Sequence, residues 1–368
     1  MDNIYDVLRR YEFNKTEAET LQQLVQRAVE KGESARTELK NLAKITERLA
    51  KKSLELDLIK IRPLPQSPNK IPKMAGIDGS CQQVGGFGGK WYVPISCAIV
   101  KAIKGSLTDL EVEVSANIEE IQQKEFQKVG ADVSRMMFTV ETKAINQWAK
   151  KAPEESYILL DGPIIDPPSE KDSTYVNLRS GAFRACLAKK ICLIGCVKRS
   201  FDLTFRNHIN RLIHAKDAQL AGLTVHYPSD THLLTFLLSF LSKSMSTSGY
   251  LHTDIIPLDT NEVTKLYLKK GFRIHFAYLQ REIGTTLLRV EVLIPEEIKD
   301  KDAPEFVGRI LDLCVQTTYP GHYVPLLVQM AHEKCNIRQG CAEVLFEDIM
   351  TRVRTSEPLE QIVLSKMR

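Results

Sequence analysis

Residues 74–199 alternate between two hydrophobic periods in an order that few folds accommodate. MAGIDGSCQQ (74–83) is a short apolar run closing on Asp-Gly-Ser. VGGFGG (84–89) reads as a turn. KWYVPISCAIVKAI (90–103) is rich in β-branched and aromatic residues, and EVEVSANI (111–118) alternates apolar with polar residues. Runs of this kind suit strands, whose successive side chains point to opposite faces. Residues 119–152 switch to the three- and four-residue spacing of a helix. ESYILLDGP (155–163) returns to strand character, 177–189 to helical spacing, and KKICLIGCVKR (189–199) to strand. The order is β-β-β-α-β-α-β. It predicts an α/β fold built on a mixed sheet: the first three strands, joined by short turns, pair antiparallel, and later strands return through helices.

The flanks are simpler. Residues 13–60 are polar, with Leu21, Leu24, Val25, Ala28, Leu39, Leu42 and Ala43 at helical steps, which predicts one or two amphipathic helices. RPLPQSPNKIPK (62–73) holds four prolines in twelve residues and reads as a linker. Beyond 200, FDLTFRNHINRLIHAKDA looks connecting or helical, and SDTHLLTFLLSFLSKS (229–244) is a helix with Ser229 or Asp230 as its N-cap. RIHFAYLQ (273–280) and LLRVEVLIP (287–295) form a hairpin. Helical spacing returns over 303–318 and, after the break YPGHYVP (319–325), over 326–337. The expected organisation is an N-terminal helical arm (1–61), a proline-rich linker (62–73), the α/β domain with C-terminal helical and hairpin additions (74–345), and a tail (346–368).

Composition narrows the function classes. Lysine and arginine number 50 against 46 acids, a net charge of +4, which permits a nucleic-acid partner without demanding one. The longest apolar stretch, LLTFLLSFL (233–241), is about half of the roughly 20 residues that span a bilayer, so no membrane span is expected. The start, MDNIYDVLRRYEF, lacks the apolar core of a signal peptide, and eight cysteines without a CxxC pair read as reduced thiols in a cytoplasmic protein. Cys192 and Cys196 fall in an apolar run and are expected to pack in a strand rather than bind zinc.

Three acids carry the chemistry. Asp78 ends the first strand, Glu141 lies within the first long helix, and Asp161 ends the fourth strand. Carboxylates gathered at one point repel one another and call for a cation; hard oxygen ligands select Mg²⁺ or Mn²⁺. Two such ions about 4 Å apart can clamp a scissile phosphate, one activating water and the other stabilising the leaving oxygen. Taken singly, Asp78-Gly79 and Asp161-Gly162 are ordinary turn formers. Their joint occurrence, with a glutamate on the intervening helix, favours the metal site. The glycine cluster before Lys90 fails as a phosphate loop, because Val84 stands where the first glycine is needed and Trp91 follows the lysine. His332 becomes a further ligand or proton carrier if its helix packs beside the acids, with Tyr319 orienting phosphate or water. Among Arg179, Arg184, Lys189, Lys190, Lys198 and Arg199, most are expected in solvent. Lys198, following a strand next to that of Asp161, is the one placed to meet a phosphate, with Arg199 beside it.

IDGS (77–80), VETKAI (140–145), LLDGP (159–163), GCVKRS (195–200), RVEV (289–292) and YP…AH (319–332) together resemble the NurA nuclease family over about residues 74–340. The resemblance implies an RNase H-like fold and an Mn²⁺- or Mg²⁺-dependent nuclease that degrades DNA 5′ to 3′ and cuts single strands internally. It implies a homodimer working with HerA, a hexameric DNA-translocating ATPase, in end resection for recombinational repair. By the same resemblance Asp78, Glu141, Asp161 and His332 are the metal ligands and Tyr319 is the nearby tyrosine. The family places its histidine about eight residues after that tyrosine; here His332 follows Tyr319 by thirteen and Tyr323 by nine. Tyr319 is preferred because proline follows it. Two other classes stay open: a non-catalytic DNA-end clamp regulating a translocase, and another enzyme on this fold, either a strand-transfer enzyme or an actin-like kinase.

Overall fold

The computed structural model describes residues 18–66, 70–87, 90–122, 125–165, 171–214, 222–244, 249–259, 261–282 and 285–352. Its strands are β1 (Ile59–Arg62), β2 (Met74–Cys81), β3 (Val84–Phe87), β4 (Lys90–Ala102), β5 (Glu111–Gln122), β6 (Tyr157–Leu160), β7 (Cys192–Val197), β8 (Tyr250–Thr253), β9 (Ile256–Pro257), β10 (Arg273–Gln280) and β11 (Leu288–Ile294). They form one mixed sheet in the order β1-β8-β10-β11-β7-β6-β2-β4-β3, with β5 beside β4 and β9 beside β10. β2, β6 and β7 run parallel, and β4 and β11 flank them antiparallel. The predicted succession of strands and helices over 74–199 and the mixed sheet are therefore present, with β3 as an added strand, as is the hairpin of β10 and β11.

Several local expectations need correction. Val84–Phe87 is a short strand paired with β4 rather than a turn. β5 runs to Gln122, so the following helix starts at Phe126 and not near 119. Two four-residue strands, β1 and β8, pair with each other at the far side of the sheet, with β8 also pairing β10. Both are too short to show a period, and β1 directly follows the long helix α1 (Ala18–Glu55).

Helices cover both faces. On one lie α2 (Phe126–Lys151), α3 (Ser173–Ala188), α4 (Thr204–His214), α5 (Asp230–Ser244) and α6 (Glu262–Leu268), joined by the second half of α1. Their apolar sides meet Ile77, Ile99, Ile158, Leu160 and Leu193 of the sheet. On the other face α7 (Ala303–Gln316) and α8 (Leu326–Cys335) pack against Met74, Val100, Leu159, Ile194 and Val292. A last helix, α9 (Gln339–Arg352), follows. Alternation along each central strand feeds both cores, which is why these strands are apolar on both sides. At 38 residues α1 is one helix, and only its C-terminal part, from Leu42 on, packs into the body. Among the described residues no helix is long and apolar enough to cross a membrane.

One close approach positions the site. A Cβ at Gly76 would overlap the Leu327 carbonyl, so glycine lets the first turn of α8 press directly on β2. The end of α8 is held as well: the Ser96 hydroxyl donates to the Cys335 carbonyl, and Ser80 Oγ accepts from the Ile337 amide at 3.0 Å. α8 therefore lies along β2 and carries His332 to the carboxylates.

Candidate active site

β2 is longer than its neighbour. It pairs with β6 only as far as Ile77–Leu160, yet continues against β4 to Cys81. Asp78 thus sits inside a strand, at the point where β6 leaves it, and does not end the strand as the sequence suggested. Asp161 is the next residue after β6, and its amide donates to the Ile77 carbonyl at 3.0 Å. The two side chains converge in the notch where parallel strands part, the usual ligand crevice of an α/β sheet.

α8 closes the notch. His332 Nδ1 lies 2.8 Å from Asp78 Oδ2 and 3.2 Å from Asp161 Oδ2. One potential ligand atom from each of Asp78, Asp161 and His332 falls within 4.8 Å of the others, the spacing of a metal-binding trio. The two carboxylates are buried, at 6% and 8% side-chain exposure, while the imidazole is 51% exposed and gives the site its opening. Lys198, from the end of β7, places Nζ 2.5 Å from Asp161 Oδ2. Its expected position near the Asp161 strand holds, but its partner here is the carboxylate itself. Arg199 points to solvent.

Glu141 stands beside this trio. It is buried in the middle of α2, and its Oε1 accepts from the Gly79 amide at 3.1 Å. The structure brings Glu141 to the residue after Asp78 but not into the trio of converging ligand atoms, where the sequence had expected it. Tyr319 lies in the connection between α7 and α8, 45% exposed, and Tyr323 is half-buried against the core. Neither side chain hydrogen-bonds to the carboxylates among the described residues.

The electrostatics follow from burial. Desolvation first, and the neighbouring Asp161 charge second, push Asp78 up to about 6. Hydrogen bonds from His332 and Cys335 pull the other way without prevailing. Cys335, one turn beyond His332 on α8, lays its thiol 3.3 Å from Asp78 Oδ2. Burial and Asp78 raise its pKa, so it stays a neutral donor. The sequence reading passed over Cys335; its three-residue offset from His332 is the signal that could have found it. That reading also expected most of the basic residues around 179–199 in solvent, and Arg179 is only 1% exposed. Its guanidinium reaches Thr142 Oγ1 at 3.1 Å and the Ile164 carbonyl at 3.1 Å. All eight cysteines are free, with Cys192 and Cys196 buried in β7 as expected.

Comparison with known proteins bears on the fold and the family. The structure of the NurA nuclease from Sulfolobus solfataricus superposes with a TM-score of 0.59 at 14% identity, covering 92% of this chain and 98% of that one. A second NurA structure gives 0.55 at 14% identity, over 86% and 96%. A NurA structure with manganese gives 0.50 at 13% identity, over 89% and 99%. At such identities these likenesses speak to the fold. No curated protein matches the sequence. The NurA domain family model matches residues 72–337, which contain every strand from β2 to β11 and all three converging side chains. The chain belongs to the NurA family.

Proposed function

We propose that this protein is a metal-dependent DNA nuclease whose hydrolytic site is the notch between β2 and β6. The observation that carries the reading is the convergence of Asp78, Asp161 and His332, two buried carboxylates and one half-exposed imidazole, in a NurA-family chain. The donor set fits a hard or borderline divalent ion. Carboxylates suit Mg²⁺ and Mn²⁺, and one imidazole is compatible with Mn²⁺. Lys198 and the His332 nitrogen already present positive or donor groups to those oxygens, the electrostatic role that an ion would take.

In this reading Asp78, Asp161 and His332 would hold the ion, and Glu141 would add a carboxylate beside them for a second. When bound, such ions supply Lewis-acid polarisation of a phosphoryl oxygen and a water of lowered pKa. The chain's own residues do the rest. The Gly79 amide holds Glu141 in place, Cys335 steadies the Asp78 carboxylate, and Lys198 offers a charge to a phosphate oxygen. Tyr319 would orient the substrate at the mouth. We extend the proposal to the family's pattern of activity: 5′-to-3′ degradation and internal cutting of single strands. A homodimer would act with a HerA-type translocase on DNA ends in the cytoplasm.

The test is cleavage of 5′- and 3′-labelled single- and double-stranded DNA with Mn²⁺, Mg²⁺ or EDTA. The same assay is run with Asp78→Asn and with a HerA-type ATPase present or absent. Metal-dependent loss of 5′ label by the wild type, lowered a thousandfold or more in Asp78→Asn, is the expected result. Equal cleavage by wild type and variant overturns the site assignment. Metal-independent DNA binding without cleavage under any ion, with or without the ATPase, would replace the nuclease by the clamp.

A further inference from the structure

The RVEV motif contributes nothing to the trio of metal-binding groups, yet it buries two charges next to it. Arg289 and Glu291, on β11, are 5% and 2% exposed. They pair with each other through Nη2 and Oε1 at 2.9 Å, and the guanidinium carbon sits 4.1 Å from the ring centroid of Phe276. Each then reaches a loop that leaves the active-site end of a central strand. Glu291 Oε2 accepts from the Ile164 amide at 2.9 Å, in the loop that begins at Asp161. Arg289 Nη1 donates to Asp202 Oδ2 at 2.8 Å and to Ser200 Oγ at 3.3 Å, in the loop that begins at Lys198.

The same two loops are gripped from elsewhere. Gly195 faces Glu291 across the β7–β11 pair, and a Cβ on it would come within 2.8 Å of the Gly162 carbonyl and 2.9 Å of the Ile164 nitrogen. The loop after Asp161 therefore folds flat over β7, where Glu291 can receive its amide. From the α3 side, Arg179 holds the Pro163 and Ile164 carbonyls at 3.3 and 3.1 Å. Asp202 in turn accepts from the Leu203 and Thr204 amides at the start of α4.

We infer that the buried Arg289–Glu291 pair is a positioning device for the active site, fixing the two loops that present Asp161 and Lys198 to each other. The inference rests on the nuclease reading for its purpose, but its mechanical content does not need a metal. A buried ion pair contributes little net stability, since desolvation offsets most of the attraction, so a pair of this kind is explained by what it holds in place. Partners one step behind metal ligands tune the ligands by orienting them, and their loss commonly weakens metal binding 10- to 100-fold.

The test replaces both charges with apolar side chains, Arg289→Met/Glu291→Met, in the full chain. Exchange of this pair for apolar groups leaves no stranded charge, so the fold should hold. Hydrogen exchange of the metal-free protein reads the loops directly. Amides of 162, 164, 165 and 198–204 should exchange at least tenfold faster than in the wild type, with the core of β10 unchanged. Calorimetric titration with Mn²⁺ should show affinity weakened 10- to 100-fold, and kinetics should show kcat lowered with KM for DNA unchanged. Unchanged loop exchange in the folded double variant overturns the inference, as does unchanged Mn²⁺ affinity where the wild type binds the ion. Should the double variant not fold, Asp202→Asn decides: it removes the Arg289–Asp202 ion pair, the grip of Arg289 on the second loop, but keeps an oxygen for the α4 amides. Faster exchange confined to 198–204 supports the device, and wild-type exchange refutes it. A wild type that fails to bind Mn²⁺, or an Asp78→Asn variant that binds it equally well, overturns the nuclease reading instead and leaves the exchange result to decide the device.

Discussion

Two buried charge clusters lie side by side at the end of β6 and β7, and they are built on opposite terms. In one, Asp78 and Asp161 share His332 Nδ1, and Asp161 also takes Lys198. In the other, Arg289 stands between Asp202 and Glu291. The difference lies in the donors. His332 is 51% and Lys198 25% exposed at the side chain, so each has room to shift and admit a cation beside the carboxylates. Arg289 is locked at 5% exposure between strands, and the other oxygen of Glu291 is held by a backbone amide. Burial pushes Asp78 up to about 6 because its partners do not compensate. Burial is the largest single influence on Asp202 and pushes it up, but the Arg289 charge and the hydrogen bonds from Arg289, Thr204 and the Leu203 amide together hold the carboxyl below its usual range, while burial keeps Glu291 above its own. A cluster closed on itself serves the fold, and a cluster left short of positive charge is open to a ligand.

The sharpest break of that contrast is in stability. Arg289→Met strands Glu291 without its countercharge and should lower unfolding free energy by about 3–5 kcal/mol. His332→Ala removes a half-exposed ring and should change it by less than about 1 kcal/mol. Chemical denaturation of the two metal-free variants measures both. Similar losses would mean that the clusters are not different in kind.

The same contrast decides what could be read from sequence. The strands with a clear period or a solid apolar run, β4, β5, β7 and the β10–β11 hairpin, were legible because burial imposes the pattern locally. Asp78 and Asp161 were visible as candidates for one site and the family resemblance added His332, but no local pattern brings the histidine helix to the acids. Asp78 and His332 are 254 residues apart, and they touch only because Gly76 admits α8 to β2. β1 and β8 carry four residues each, too few for alternation to register. Arg179 and the RVEV charges were beyond reach for a different reason. A charged residue in an alternating or helical pattern normally marks the wet face, and only tertiary pairing makes its burial tolerable. The substance of the closed cluster is therefore long-range, while the open one leaves at least its two aspartates as Asp-Gly pairs behind apolar runs.

A second effect, somewhat smaller, sharpens the comparison from the ligand side. If the open cluster takes a divalent ion, Mn²⁺ at 100 times its dissociation constant should stabilise the protein by about 2.7 kcal/mol through linkage. Thermal melts with and without Mn²⁺ would show this as an upward shift. The shift should vanish in Asp78→Asn and fall only in part in Asp202→Asn, which loosens the loop that begins at Lys198 and leaves the carboxylates in place. Survival of the full shift in Asp78→Asn would place the ion elsewhere.

The smallest expected effect is the most diagnostic, because its sign changes. Asp78 holds its proton more tightly in the folded chain, up to about 6, than at its ordinary value of 3.8. Its contribution to stability is therefore present below the ordinary value and is lost as pH rises through about 6. Metal-free wild type should lose on the order of 2 kcal/mol relative to Asp78→Asn between pH 4 and pH 7. The comparison with the variant matters, because buried His252 and His275 act the other way. Burial pushes both below their ordinary value, so they favour the folded state at neutral pH and lose that advantage as pH falls. They are common to both proteins and cancel in the difference. With saturating Mn²⁺ the slope of that difference should invert, since the ion binds the carboxylate and competes with its proton. Denaturation curves at four or five pH values, with Mn²⁺ or with EDTA, read the slope directly. A slope of the same sign in both conditions would show that Asp78 keeps its proton when the ion is present, and the open cluster would then lose its claim to be a metal site.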